Sequence, residues 1–183
     1  EPTVVSAPLD SWIWKEELFV PFVAETKVRT LDEGLALSND TALVGAWLDG
    51  AGAEYERGSA YVFSRSGTSW TAQGKLMASD GAADDMLGVS VALVNDVALV
   101  GALGRDEGSD VDRGAVYSFL RTGATWSQEA KVLASDGASG DGSRAAIALS
   151  GDAALIGSVF DDVDNNDDQG SAHALVRSAG AWT

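Results

Sequence analysis

Two short apolar strands joined by a turn are encoded in GVSVALVNDVALVGA, residues 88–102. The halves Gly88–Val94 and Val97–Ala102 are rich in valine, and Asn95 and Asp96 between them are typical turn residues. Neither half shows a helical period over ten residues. The stretch therefore predicts a β-hairpin.

The same pattern recurs along the chain with an offset of 56 residues and without a gap. The offset carries TALVGA at 41–46 onto VALVGA at 97–102 and AALIGS at 153–158. Four tryptophans keep the same interval: Trp14, Trp70, Trp126 and Trp182. The sequence thus predicts a repeat protein. Counted from the tryptophans, the chain divides into the end of a partial unit and three repeats: 1–14, 15–70, 71–126 and 127–183.

Each period predicts four antiparallel strands, A to D. In the second unit A and B form the hairpin above, C is Gly114–Arg121 and D is Trp126–Ala134. Four such strands in a period of roughly 40–56 residues are typical of a β-propeller blade. The predicted fold class is all-β, a β-propeller built from four-stranded antiparallel blades.

A ring of blades needs about 4–8 of them, because an open end leaves a blade face and a strand edge without partners. We therefore expect either a fragment of a larger propeller or a protomer that completes a ring with copies of itself. A strand around Trp14–Val20 is expected to pair with the last unit.

The motifs of the repeat resemble a known family. The run SVALxxDxALVGA, an acidic loop, GSAYVFxRSGxxW and KLxASDGA are similar to the FG-GAP repeat, the blade unit of integrin-α-type propellers. The likeness is good over 35–183 and weak over 15–34, and the Phe-Gly pair is replaced by Leu87-Gly88 in the second unit. It implies a propeller fold and an extracellular or cell-surface interaction role without catalysis.

The composition limits the classes of binding partner that can be expected. The 183 residues include 12 basic and 28 acidic ones, a net charge of −16, which disfavours nucleic acid and anionic membranes and favours calcium or a basic protein. The absence of cysteine excludes disulfides, thiolate zinc sites and cysteine nucleophiles. No apolar run is long enough for a membrane helix, and EPTVVSAPLD does not have the pattern of a signal peptide, which predicts a mature or non-exported form.

The order of the strands predicts how the charged loops are sorted. Alternating strands place the B–C and D–A loops at one end of each blade and the A–B and C–D turns at the other. The B–C and D–A loops carry most of the clustered carboxylates, whereas the repeated arginines (Arg65, Arg121, Arg177) and tryptophans follow the C–D turns. One acidic end is therefore expected.

The acidic B–C loops are the candidate calcium sites, because Ca²⁺ takes 6–8 oxygen ligands from carboxylates, amides and carbonyls. The third loop is the richest in such ligands, and the second is partial. The predicted metal ligands are Asp161, Asp162, Asp164, Asn166 and Asp168 in the third loop and Asp106, Asp110 and Asp112 in the second. The metal loop of integrin-type blades lies between strands A and B, where this chain has only short turns such as VND at 94–96, so those ligands do not carry over. The alternative is a solvated loop that forms Asx turns.

Three residue types, histidine, arginine and tryptophan, could have either a functional or a packing role. His173 occupies the position of Tyr61 and Tyr117, which predicts a packing role rather than a catalytic base. The arginines are predicted to bond a neighbouring blade rather than to form a sialidase-like clamp. The tryptophans at the 56-residue interval are predicted to pack between blades, while Trp12 and Trp47 lie outside that interval and are candidates for surface contacts.

These observations predict a non-catalytic FG-GAP-type module that mediates protein–protein interaction, adhesion or self-association, with calcium as a stabilising ligand. Two alternatives remain open: a carbohydrate-binding or glycosidase-type propeller, and a structural subunit of an extracellular filament. Acids that recur with the repeat disfavour a glycosidase, because an active site needs non-equivalent residues around one cavity.

Overall fold

The computed structural model describes residues 35–50, 53, 55–135, 137–141, 146–158, 160–163 and 168–183. These residues form three four-stranded antiparallel sheets, each with its strands in chain order. Blade 1 consists of β1 (Leu35–Ser38), β2 (Thr41–Ala46), β3 (Ser59–Ser66) and β4 (Ser69–Leu76). Blade 2 consists of β5 (Leu87–Val94), β6 (Val97–Ala102), β7 (Ala115–Thr122) and β8 (Thr125–Val132). Blade 3 consists of β9 (Ala146–Ser150), β10 (Ala153–Ser158), β11 (Ser171–Ser178) and β12 (Ala181–Trp182).

The predicted repeat and the four-stranded blade are confirmed. The second strands of the three blades begin at Thr41, Val97 and Ala153, which are 56 residues apart. Strand D of blade 2 ends at Val132, two residues before the predicted end, and the carbonyl of Ala134 beyond it accepts a hydrogen bond from Arg113. The expected strand at Trp14–Val20 lies outside the described residues. Within the described part of the chain, no helix is long and apolar enough to span a membrane.

Alternating side chains of one sheet enter two different cores. On β6, Ala98 and Val100 join the cluster shared with blade 1, whereas Leu99 joins the cluster shared with blade 3. This follows from the strand period of two, which points successive side chains to opposite faces. We call the face toward the preceding blade the near face and the face toward the following blade the far face. The middle blade therefore buries both faces.

Glycines allow the backbones of neighbouring blades to come close together. A Cβ on Gly45 would lie 1.9 Å from the carbonyl oxygen of Gly88 in the next blade. Gly88 itself has φ +103°, and a Cβ there would lie 2.3 Å from the Ser59 carbonyl. The motif glycines of strands A and B thus set the distance between blades 1 and 2.

In blades 1 and 2 the ASDGA segment that follows strand D accepts a hydrogen bond from an arginine of the same blade. Arg57 Nη2 donates to the Ala78 carbonyl at 3.1 Å, and Arg113 Nη2 donates to the Ala134 carbonyl at 3.0 Å. A Cβ on Gly81 would lie 2.8 Å from the Arg57 Nε atom. The guanidinium of the arginine therefore lies directly against the glycine of this motif.

Two of the tryptophans at the 56-residue interval pack between blades, as predicted. Trp126 packs against the cluster between blades 1 and 2, and Trp182 packs against the cluster between blades 2 and 3. Trp70 is half-buried, and Trp14 lies outside the described residues.

Trp47, a candidate for a surface contact, is half-buried, so part of its side chain remains open to solvent. The other candidate, Trp12, lies outside the described residues.

Candidate functional site at the acidic end of the blades

The B–C and D–A loops meet at one end of the blades, as the strand order predicted. The Asp84 backbone N–H, in the linker before blade 2, donates to the Tyr55 carbonyl at 2.9 Å. One repeat later, the Gly140 N–H donates to the Val111 carbonyl at 2.9 Å. Each linker is thus bonded to the B–C loop of the blade before it, and the acidic loops form one continuous end.

In blade 1 the carboxylate of Asp49 bonds three polar side chains at this end. Asp49 Oδ2 accepts hydrogen bonds from Ser59 Oγ and Tyr61 Oη, both at 2.7 Å, and lies 2.8 Å from Lys75 Nζ. Partial burial alone would raise the pKa of Asp49, but the bonds from Lys75, Ser59 and Tyr61 outweigh it and lower this pKa to about 2. Asp49 is therefore ionised, and it anchors the start of the B–C loop.

In blade 2 an arginine occupies the position of that carboxylate, and the carboxylate that bonds the tyrosine comes from the linker before the blade. Arg105 stands at the position of Asp49, and Tyr117 Oη instead donates to Asp80 Oδ1 at 2.9 Å. Lys131 Nζ lies 3.0 Å from Asp80 and 2.5 Å from Glu107. Burial is the largest influence on Tyr117 and, with the bond to Asp80, raises the pKa of this phenol. The linker carboxylate thus ties blade 2 to the chain that enters it.

Each of the two linkers contains a buried carboxylate that accepts a backbone hydrogen bond from within the same linker. Asp85 is 2% exposed, accepts the Ala82 N–H at 2.7 Å and lies 3.7 Å from Arg105. Asp141, one repeat later, is also buried and accepts the Ala138 N–H. Burial raises the pKa of Asp85 against the opposing effects of the Ala82 bond and Arg105.

Blade 3 has a buried carboxylate at the start of its B–C loop. Asp161, at the position of Asp49, is 2% exposed, and its Oδ2 atom has no hydrogen-bond partner among the described residues. The Nε2 atom of His173 lies 3.8 Å from Asp161 Oδ2 and 3.0 Å from Ser171 Oγ. His173 is half-buried on β11, in agreement with the packing role predicted for it.

The predicted ligands of the second loop mostly have protein partners. Asp106 Oδ1 accepts the Asp112 N–H at 2.9 Å, which closes the loop between these two residues. Asp110 Oδ2 lies 3.5 Å from Arg113 Nη1. The carboxylates of this loop are therefore divided between a turn and an ion pair.

The third loop is closed by the same bond, and Gln169 stands at the position that Arg113 occupies in the second loop. Asp162 Oδ1 accepts the Asp168 N–H at 2.7 Å, one repeat after the Asp106–Asp112 bond. Asp164 and Asn166 lie outside the described residues. Within the described residues, no three histidine, aspartate or glutamate side chains form a group that could hold a metal ion.

The opposite end of the blades carries the arginines, as the strand order predicted. Arg65 Nη2 lies 2.9 Å from Asp40 and its guanidinium lies 5.8 Å from the Trp70 ring, and Arg121 repeats this arrangement with Asp96 and Trp126. The arginines lie one to a blade near the end of its third strand, not around one cavity, so the described residues do not form a sialidase-like clamp.

The third arginine confirms the predicted bond to a neighbouring blade. Arg177 donates from Nε and Nη2 to the two carboxylate oxygens of Glu129 in blade 2, at 2.9 and 2.6 Å. Glu129 lies at a bulge in β8, where the register shifts between Ser118 and Phe119, and the bond from Arg177 lowers its pKa. Sequence analysis had no signal for the bulge, although the equivalent bulge in blade 1 holds Gln73.

Stacked four-stranded antiparallel blades with loops sorted to two ends define a β-propeller-type repeat protein, of which these residues form part of a ring. The sequence pattern of the FG-GAP repeat family matches residues 33–63, 70–119 and 126–175, more than half of the chain. The chain belongs to the FG-GAP repeat family. No curated protein matches it.

The pH dependence of the free energy of unfolding tests the role of Asp49 and its partners Ser59, Tyr61 and Lys75. The pKa of Asp49 is about 2 in the fold against 3.8 for a free aspartate, so its stabilising effect is complete above about pH 4 and is lost as the pH falls toward 2. Asp49→Asn should cost about 1 kcal/mol at pH 7, because the carboxylate is partly screened by solvent, and this difference should vanish near pH 2. Urea unfolding at pH 7, 4, 3 and 2 measures it. Asp152→Asn, at a side chain 73% exposed, is the control; equal losses at all pH values would refute the assignment.

Proposed function

We propose that this chain is a non-catalytic interaction module of an extracellular or cell-surface protein, and that its acidic end binds calcium or a basic protein partner. The FG-GAP family is generally non-enzymatic and typical of such proteins. The observation that carries the proposal is the continuous acidic end, where the B–C loops and linkers of successive blades are bonded together. At a net charge of −16, cationic ligands are favoured at long range.

The third loop is the place we propose for calcium. Asp161 has a buried carboxylate oxygen that lacks a hydrogen-bond partner among the described residues, whereas Asp49 at the same position in blade 1 accepts bonds from Ser59 and Tyr61. A buried carboxylate is costly unless a cation or hydrogen bonds compensate it. Asp162, Asp164, Asn166 and Asp168 would complete the oxygen ligands. In the second loop, Arg113 competes for Asp110, so Asp106, Asp110 and Asp112 are proposed as a weaker site.

The carbohydrate-binding or glycosidase-type alternative receives no support from the described residues. Trp126 and Trp182 pack against interblade clusters, and Arg65 lies over Trp70, which leaves these rings unsuited to stack on a sugar. The acids with strongly lowered pKa, such as Asp49, are held by lysine and hydroxyl groups in a repeated structural role.

A calcium titration tests the proposal. At a calcium concentration 100 times Kd, the fold should gain about 2.7 kcal/mol, which raises the Tm by about 5–10 °C over the value in chelator. Asp161→Asn should abolish most of this rise, and Asp106→Asn should leave most of it. Differential scanning fluorimetry with magnesium as the control cation measures both. A midpoint that calcium does not move would remove the metal from the proposal and leave the basic protein partner.

A further inference from the structure

The A–B turn of blade 1 contains an acceptor sequence that the proposed function does not use. Asn39-Asp40-Thr41 has the form Asn-X-Ser/Thr with X other than proline, which is the acceptor for N-linked glycosylation in the secretory pathway. The chain has four asparagines, and none of the other three has a serine or threonine two positions later. The equivalent turn of blade 2, Asn95-Asp96-Val97, lacks only the hydroxyl residue.

The fold leaves the amide of Asn39 open to solvent. Asn39 is an exposed residue in the turn between β1 and β2, with φ +54°, and its Nδ2 atom donates to Asn95 Oδ1 at 3.2 Å. A side-chain amide has two N–H donors, so replacement of one hydrogen by a sugar leaves the other for this bond. Asn95 is exposed even though blade 2 is packed on both faces, which shows that an adjoining blade does not cover the turn.

The hydroxyl of Thr41, by contrast, is enclosed by the fold. Thr41 is 4% exposed, and its Oγ1 atom accepts a hydrogen bond from Arg121 Nη1 at 3.1 Å. Arg121 lies in β7 of blade 2, 80 residues later in the chain. Because the hydroxyl residue is part of the acceptor sequence, a transferase can recognise this segment only before blade 2 packs on blade 1.

We propose that Asn39 is a site of N-linked glycosylation and that it is modified on the unfolded chain, before blade 2 packs on blade 1. The donor is a lipid-diphosphate-linked oligosaccharide. A bond forms between Asn39 Nδ2 and the anomeric carbon of the first sugar, while the bond from that carbon to the phosphate oxygen breaks. The lipid diphosphate leaves, and Nδ2 loses one proton.

The glycan lies at the end of the blades opposite the acidic loops, because strand order places the A–B turns there. It therefore leaves the proposed calcium-binding and protein-binding end free. The inference rests on the extracellular or cell-surface location proposed above.

Translation of the chain behind a leader peptide, in the presence of endoplasmic-reticulum microsomes, tests the site. We expect one glycan, which a peptide N-glycosidase removes while converting Asn39 to aspartate, as read by mass spectrometry. Asn39→Gln should lose this glycan, and Asn95 in the wild type should stay unmodified. Val97→Thr completes the same acceptor sequence in blade 2 and should add a second glycan. All translocated chains are analysed, so a folding defect in a variant does not hide the result.

A second measurement tests the order of modification and folding. Unmodified folded chain, and a peptide of residues 35–46 as the unfolded reference, are each incubated with the solubilised transferase and its lipid-linked donor. The folded chain should be modified at least about 10-fold more slowly than the peptide, because the Thr41 hydroxyl is accessible only in open states.

Two results would contradict the inference. Translocated wild-type chain with an unmodified Asn39 would overturn the site, and folded chain modified as fast as the peptide would overturn the order. Both leave the proposed function intact, since calcium and protein binding are measured at the acidic end of the unmodified chain. A chain that is glycosylated at Asn39 but binds neither ligand would instead refute the proposed function and retain this inference.

Discussion

Gly45→Ala is expected to destabilise the protein by about 3 kcal/mol or more. The new Cβ would lie 1.9 Å from the Gly88 carbonyl oxygen, a distance at which one of the two backbones must move. Overpacking a well-filled core costs about 1–3 kcal/mol when flexible side chains can adjust, and here the obstacle is backbone. Urea unfolding followed by circular dichroism measures the loss.

The control for this prediction is Gly157→Ala, at the same position two repeats later. Its Cβ would meet no described atom closer than 3.9 Å, so a change below about 0.5 kcal/mol is expected in the monomer. Both variants are compared at a concentration where sedimentation shows monomers. Equal losses would mean that a property of the strand itself, rather than the approach of the next blade, requires the glycine.

Leu99→Ala is expected to cost about 3 kcal/mol. Leu99 is 1% exposed between blades 2 and 3, packed with Ala154 and Ile156, and its truncation leaves a cavity that the surrounding strands can fill only in part. A shift in the urea midpoint with an unchanged slope would attribute the loss to stability.

Leu155→Ala makes the same chemical change on the exposed face of blade 3. Because Leu155 is 50% exposed, the monomer should lose no more than about 1 kcal/mol. If Leu155→Ala destabilised the monomer as much as Leu99→Ala does, the far face of blade 3 would be covered within a single chain.

The repeat explains why so much of the fold could be predicted. An offset without gaps fixes the spacing of equivalent strands, and the short turns at Asn39 and Asn95 leave only one register for strands A and B. The sorting of loops to two ends follows from four antiparallel strands in chain order. Alternate positions on each strand then divide between the two faces of a blade.

The site could be predicted only in outline, because equivalent positions do not keep the same chemistry. Asp49 becomes Arg105 in the next repeat, and Tyr117 then finds its partner in Asp80, 37 residues away in the linker. The acidity of the loops gives no sign of this exchange. The carboxylate of Glu129 reaches Arg177 from a bulge that the alternation of residues does not reveal.

The sequence by itself determined that the fold is all-β, that each repeat forms one blade, and at which end of the blade each loop lies. These features follow from local periodicity and chain direction. Tertiary structure decided which carboxylate each cation serves and why Gly45 and Gly88 admit no side chain. Those outcomes depend on distances between different repeats, and the spacing of residues within one repeat does not contain them.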